Sequence, residues 1–425
     1  MIRLYNGLVM PMVSDCSVAP GEVWTDGGKI AYAGPARDGE LPAFEREIDL
    51  KGDLVMPGFK NAHAHSAMTF LRSYADDLPL QSWLFDKVFP LENRLTPEAV
   101  YAFTRLAVLE YLSGGITASF DMYFHRDAYA RANIDCGFRT VICGALSAGD
   151  KISTAADDYK KYNSMGELIS YLPGVHAEYT ADEKLLRGMS ELVRELKSPF
   201  WTHNSETKSE VDGCFERHGM SPTEYLDSLG LYDFGGGGYH CVWFSERDMD
   251  IFAEKQLWAV TCPASNAKLA SGIAPLGRFK KRGIRLAVGT DGPASNNALD
   301  MFREMYLACV LQKLSHSDAA ACPAEDVLMA ACSGGARAMG LYNCDCLAEG
   351  KAADLAVISL SKPNMRPVHA IAKNLVYSGT RDCVRLTMVA GKILYENGEF
   401  FVGSDASGIY EEAEKYTKEL IDRDD

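Results

Sequence analysis

From residue 57 to about 345, apolar strand-like runs alternate with amphipathic helical stretches. The strand-like runs are Ile116–Phe120, Thr140–Leu146, Gly174–Tyr179, Pro199–His203, Gly238–Val242, Trp258–Thr261 and Arg285–Val288. The helical stretches include Pro97–Ser113, Glu183–Leu196, Glu246–Lys255, Pro275–Arg282, Leu299–Leu314 and Ala324–Gly334. Strands that alternate with helices over this length argue for a parallel sheet covered by helices. Seven or eight such units are the number that closes a (β/α)8 TIM barrel.

The two ends of the chain read differently. Before residue 57 there are only short strands and turns: Ile2–Tyr5 running into Asn6-Gly7, Lys29–Tyr32 after Gly27-Gly28, and Ile48–Leu50 and Leu54–Met56 around Lys51-Gly52-Asp53. Asn-Gly is a hairpin-type signal. After residue 348 strands return as Ala353–Leu360, Asn374–Tyr377, Cys383–Val389 and Lys392–Tyr395, with hairpin turns expected at Ala390-Gly391 and Asn397-Gly398. A charged helix is expected over Ile409–Ile421. Neither end is long enough to make a good core alone. The expected organisation is therefore a barrel over residues 57–347 and one small β-sandwich domain built from residues 1–56 and 348–425.

Four strand-like stretches end in a side chain of metal-ligand type: Asn61-Ala62-His63-Ala64-His65, Phe200-Trp201-Thr202-His203, Gly238-Tyr239-His240, and Leu286 through Asp291. Taken singly, each has an ordinary reading as a loop histidine, a core histidine or a helix N-cap. Taken together they are hard to dismiss, because the chain has only nine histidines and four fall at strand ends. A barrel of this type places its chemistry at the C-terminal ends of its strands. His63 and His65, two apart in an extended segment, point to one side. Three imidazoles and a carboxylate from these stretches suit one divalent ion, zinc first, with iron(II) or manganese as alternatives. Glu206, three residues past His203, is placed to move protons above such a site. The pattern points to a metal-dependent hydrolase.

Composition narrows the partners. Formal net charge is −15, which disfavours nucleic acid and anionic membranes, since both attract basic surfaces. The twelve cysteines are scattered, without a Cys-x-x-Cys, and read as buried thiols rather than a disulfide scaffold. Met1–Gly7 does not read as a signal peptide, and no apolar run is long enough to cross a bilayer. A cytoplasmic protein acting on a small molecule is the expectation.

Further motifs carry a resemblance. They are Met56–His65, Leu71-Arg72, Asp76–Leu78, Trp83-Leu84, Phe89–Glu92, Asp121–Phe124, Cys262–Leu269 and Gly289–Asn297. With them, nearly the whole chain resembles the amidohydrolase superfamily, in particular the methylthioadenosine/S-adenosylhomocysteine deaminases and their triazine-hydrolase relatives. The resemblance implies one metal on His63, His65, His203 and Asp291, because the lysine that bridges two metals in other members has no counterpart in Gly174–Tyr179. It implies that His240 polarises the attacking water, that Glu206 passes a proton to the heterocycle nitrogen, and that Asp291 accepts a proton from water. It also implies that Glu92 binds ribose hydroxyls, that Trp83 lies near the purine and that His176 lines the pocket. A homo-oligomer is implied as well. The two arginines that hold the homocysteine carboxylate in that family are replaced by Gly144 and, roughly, Thr154, with Lys151 nearby. A guanidinium grips a carboxylate with two parallel hydrogen bonds, and neither replacement can do so. The implied activity is hydrolytic deamination of an aminated N-heterocycle, an adenosine-type nucleoside first. A free purine base or pterin, or a triazine, is an alternative substrate, and a non-catalytic ligand-binding barrel is the alternative of another class.

Overall fold

The structure is a computed structural model and describes residues 1–78 and 82–421. Eight barrel strands run in chain order: Phe59–Ala64, Ile116–Asp121, Arg139–Cys143, a broken fourth strand, Phe200–Asn204, Gly236–His240, Trp258–Thr261 and Arg285–Val288. All neighbouring pairs are parallel. The fourth strand is interrupted at Pro173, which has no amide hydrogen to donate to the ladder. Its first half, Ile169–Leu172, pairs with strand three, and its second, Gly174–Ala177, with strand five. Strand eight closes on strand one beyond its own end. There the Thr290 and Asp291 amides donate to the His63 carbonyl at 3.1 and 3.0 Å, and the Asn61 side chain bonds Thr290 twice.

The barrel interior is packed with Ala62, Phe120, Val141, Trp201, Tyr239, Val260 and Ala287. The helices around it start where the sequence supplies caps. Thr96 accepts from the Ala99 amide ahead of Pro97–Ser113, and Asp182 accepts from Leu185 ahead of Glu183–Leu196. Each cap satisfies an amide that has no partner within its helix.

Both chain ends meet in a single nine-stranded mixed sheet. Leu54–Pro57 joins them, pairing parallel with Ile2–Val9 and antiparallel with Leu355–Ile358. Period-two alternation divides the faces of these strands. Val55, Val357 and Leu386 enter a core with Leu4, Val23 and Ile30, whereas Leu54, Met56, Ala356 and Ile358 face the barrel helices. The hairpins at Ala390-Gly391 and Asn397-Gly398 are present. The terminal helix, Ala406–Ile421, packs on Pro97–Ser113 of the barrel.

Three local expectations differ from the structure. Asn374–Tyr377 belongs to a helix, Ile371–Tyr377, which buries Ala372, Leu375 and Val376 against Ala324–Met329. A short apolar run carries no period of its own, so its neighbours decided its form. Asn6-Gly7 is not a turn but a bulge within Ile2–Val9, where the register slips between Leu4 and Gly7. The Asn6 side chain reaches Asp49 across it. The glycines before His240 are themselves the strand. A Cβ at Gly236 would fall on the Phe200 carbonyl oxygen and one at Gly237 on that of Trp258. Only glycine permits this approach of backbones, and His240 is the last residue of strand six rather than its middle.

Candidate metal centre

A bulge in strand one aims the first pair of donors. Asn61 pairs with Ser119 and Ala64 with Asp121, so three steps on one strand face two on the other. Such an insertion bends a strand and redirects its side chains. His63 lies fully buried, its ring stacked on Tyr239 with centroids 3.8 Å apart. His65 follows the strand end. His203 and His240 arrive on strands five and six, and Asp291 three residues after strand eight.

These side chains converge. Ligand atoms of His63, His65 and His203 lie within 4.8 Å of one another, as do those of His63, His240 and Asp291. Asp291 Oδ1 is 3.3 Å from His65 Nε2 and 3.6 Å from His63 Nε2. Separations of this size suit donors about 2 Å from a common ion.

The surroundings orient the donors inward. His65 Nδ1 lies 2.6 Å from the Met122 carbonyl, and His203 Nδ1 lies 2.7 Å from that of His176. A carbonyl only accepts, so each Nδ1 carries a hydrogen and each Nε2 is the atom turned to the centre. Asp291 Oδ2 accepts from Ser265 and Ser295 at 2.5 and 2.7 Å, leaving Oδ1 free to face the imidazoles. Both ring nitrogens of His63 are buried without a hydrogen-bond partner. A buried polar atom without a partner calls for a ligand, and a cation at this point supplies one. The donor set therefore fits a divalent ion.

Electrostatics couple the same groups to one another. Burial holds the His63 and His203 imidazoles well below their usual range, so both stay neutral. Burial also pulls His65 down, but its hydrogen bond to Asp291 and that residue's charge outweigh this and lift it to about 9. Burial pushes the Asp291 carboxyl up, and the His65 hydrogen bond and charge overcome it, holding the group well below the carboxylate range. Asp291 and His240 also sit at φ 60° and 69°, a conformation that costs side-chain-bearing residues energy and clusters at functional sites.

Glu206 faces the same space from the loop after strand five. Glu210 takes hydrogen bonds from the Ser205 and Glu206 amides, both at 2.8 Å, and so fixes that loop. Ser271 donates to Glu206 Oε1 at 2.9 Å, while Oε2 lies 3.9 Å from His240 Nε2. The His240 Nδ1–H donates to the Asn266 side-chain oxygen at 2.8 Å.

A cavity of about 280 Å³ opens beside the cluster. His65, His203, His240, Asp291, Glu206, Trp83, Glu92 and His176 line it. Trp83 stands at the start of a π-type segment, Trp83–Val88. Glu92 is buried and accepts from the Tyr123 hydroxyl at 2.7 Å; burial pushes its carboxyl up to about 7. Burial and the His65 charge pull His176 down to about 4, and its Nδ1 lies 3.0 Å from the Thr180 hydroxyl. A larger cavity of about 430 Å³ lies outside the barrel beside Leu276–Lys281 and holds none of the clustered donors.

Sequence reasoning passed over the supporting residues. Tyr123, Ser265, Asn266 and Ser295 stand inside quoted motifs but received no role there, and Ser271 and Glu210 gave no signal. Their value lies in which atom they touch, and spacing does not carry that.

Residues 54–394 match the Amidohydrolase family. The chain is 38% identical over 394 residues to the 5-methylthioadenosine/S-adenosylhomocysteine deaminase of Natronomonas pharaonis, covering 91% of each chain. It is 38% identical over 383 residues to the 5'-deoxyadenosine deaminase of Methanothermobacter thermautotrophicus, covering 88% of this chain and 87% of that one. Among solved structures it is similar to an adenosine deaminase from Xanthomonas campestris with bound zinc. There the TM-score is 0.93 and the identity 31%, with 99% of this chain and 98% of that one covered. The family match runs from the strand that joins the two chain ends to the hairpin near the sheet's edge, and so spans both layers of the fold: the chain belongs to the amidohydrolase family, whose members are metal-dependent.

Proposed function

We propose that this chain is a metal-dependent hydrolytic deaminase of adenosine-type nucleosides, releasing ammonia from the amino-bearing ring carbon. The observation that carries this reading is the convergence of Glu206, His240 and Asp291 on one space above three imidazoles. The names of the relatives support the choice of ring.

In this reading His63, His65, His203 and Asp291 hold one divalent ion, with zinc proposed because three nitrogens and one oxygen suit it. Such an ion lowers the pKa of its water to about 7. The remaining steps fall to the chain. Glu206 hands a proton to the ring nitrogen next to the amino-bearing carbon, which makes that carbon electrophilic. His240 orients the attacking water and Asp291 Oδ1 takes its proton. The water oxygen bonds to carbon, giving a tetrahedral centre that carries both hydroxyl and amine. The amine collects the proton from Asp291 and the C–N bond breaks. The electron pair leaves with nitrogen as ammonia, and the hydroxyl proton returns to Glu206. Glu92, Trp83 and His176 line the space left for the rest of the nucleoside.

The test is a panel of adenosine, 5'-deoxyadenosine, methylthioadenosine, adenine, a pterin and a chlorotriazine, scored for ammonia and chloride. Ammonia from the nucleosides is expected. Ammonia from the pterin alone, or chloride from the triazine, would replace this reading. Glu206→Gln is expected to keep its metal content and to lose about 10²–10⁴-fold in kcat. Undiminished turnover would remove the proton-transfer role.

A further inference from the structure

Among the described residues, the Glu206 side chain is hydrogen-bonded at one carboxylate oxygen only. Oε1 accepts from the Ser271 hydroxyl at 2.9 Å, and Oε2 is the oxygen turned to His240, 3.9 Å from its Nε2. Ser271 is buried just past the helix Pro263–Lys268, which follows barrel strand seven. Its main chain is fixed without help from its side chain. The Ser271 amide donates to the Asn266 carbonyl at 2.9 Å, and the Ser271 carbonyl accepts from the Trp243 indole at 2.7 Å. Trp243 also donates its own amide to the Ser205 carbonyl at 2.8 Å, next to Glu206. Gly272 lets these loops close on each other. It sits at φ 131°, and a Cβ there would fall 2.8 Å from Val242 Cγ1; glycine alone takes up such a conformation without strain. Asn266 serves twice: its carbonyl holds the Ser271 amide and its side-chain oxygen holds His240 Nδ1. Ser271 and His240 thus reach Glu206 from one common support. The Ser271 hydroxyl has no part in that framework, because its one partner among the described residues is Glu206.

We propose that Ser271 is a positioning residue for the proton transfer at Glu206: its hydroxyl pins Oε1 and so keeps Oε2 for the proton that moves. The inference rests on the deaminase reading above and adds to it the choice of oxygen. The Ser271 bond persists in both states of Glu206, charged or protonated on Oε2, whereas a proton on Oε1 displaces the hydroxyl hydrogen. The carboxyl plane therefore holds still through the cycle, and the proton leaves and returns at one point beside His240. A glutamate side chain has several rotatable bonds, and ordering it costs rotamer freedom. The Ser271 bond meets that cost before substrate arrives. Position matters here, because a misplacement of about 1 Å costs about 10²-fold in rate.

The experiment compares the metal-loaded parent with Ser271→Ala, Glu206→Gln and the double variant, on adenosine and methylthioadenosine. Ser271→Ala is expected to lose about 10–100-fold in kcat. Its KM is expected to change by less than about threefold, because the lost bond does not touch the substrate. In the Glu206→Gln background the same change is expected to cost less than about twofold, since a group that acts through Glu206 has nothing left to act on. A loss of equal size in both backgrounds would overturn the proposal, and so would a Ser271→Ala variant with the parent's kcat. A crystal structure of metal-loaded Ser271→Ala gives a readout that needs no turnover. Residues 266–272 are expected to stay in place while the Glu206 carboxylate swings away or spreads over several rotamers. An unmoved, singly ordered carboxylate would overturn the proposal. If the parent releases no ammonia from any nucleoside, the deaminase reading falls, and the crystal structure still decides whether Ser271 holds Glu206.

Discussion

Asp291 illustrates how one carboxylate is divided between two tasks. Its Oδ2 is taken up by Ser265 and Ser295, and only Oδ1 faces the imidazoles. Hydroxyls that orient a ligand without touching the ion are worth about 10–100-fold in metal affinity. The double variant Ser265→Ala/Ser295→Ala is therefore expected to bind zinc about 10–100-fold more weakly in a chelator competition, with an unchanged circular dichroism spectrum. Equal affinity would show that Asp291 needs no outer support. His63 makes the complementary point. Its buried nitrogens lack hydrogen-bond partners, and this shortfall appears only once strands five, six and eight have closed around it.

At the scale of elements, Glu304 ties two of the loops that support the site. It lies on the helix Met301–His316, accepts from the Ala264 amide at 2.9 Å and from the Asn296 side chain at 2.6 Å, and Asn296 also donates to the Thr290 carbonyl. Burial pushes its carboxyl up to about 8. Below the unfolded value of about 4.3 both states hold the proton and the group has no effect on the pH slope. Between there and about 8 the unfolded chain releases the proton while the folded chain keeps it, so stability falls as pH rises and levels off above that range. Glu304→Gln removes this contribution. Its plot of Tm against pH is expected to be flatter than that of the parent between about pH 5 and 8. Parallel plots would mean that the buried carboxyl does not govern this slope.

At the scale of the whole molecule, a buried ion pair joins the barrel to the nine-stranded sheet. Arg139, at the start of barrel strand three, bonds Asp354 through Nε and Nη2 at 2.6 and 3.0 Å, with both side chains almost wholly buried. Asp354 also accepts from the Ala390 amide at 2.8 Å. Removing one partner strands the other. Arg139→Met is expected to lower unfolding stability by about 3–5 kcal/mol in denaturant titrations. Adding Asp354→Leu is expected to recover part of that loss, since an apolar pair leaves no orphan charge. A single variant as stable as the parent would mean that water reaches Asp354.

Much of this could be read before any coordinates, and the reason is locality. Alternation of strand and helix, the Asn397-Gly398 turn and the residue types at strand ends all depend on neighbours within a few positions. Hence the barrel and its candidate donors His63, His65, His203, His240 and Asp291 were legible in the chain itself. Short apolar runs and glycine tracts were not. Asn374–Tyr377 became helical, and Gly236–Gly238 became a strand, because of surfaces contributed by distant residues. Tertiary structure alone decided which oxygen of Asp291 faces the imidazoles, what holds Lys268 and Arg126, and that three carboxyls and four imidazoles share one cavity wall. Those facts concern groups brought together from far along the chain, and their electrostatics depend on distance through space and on burial, which spacing along a sequence does not encode.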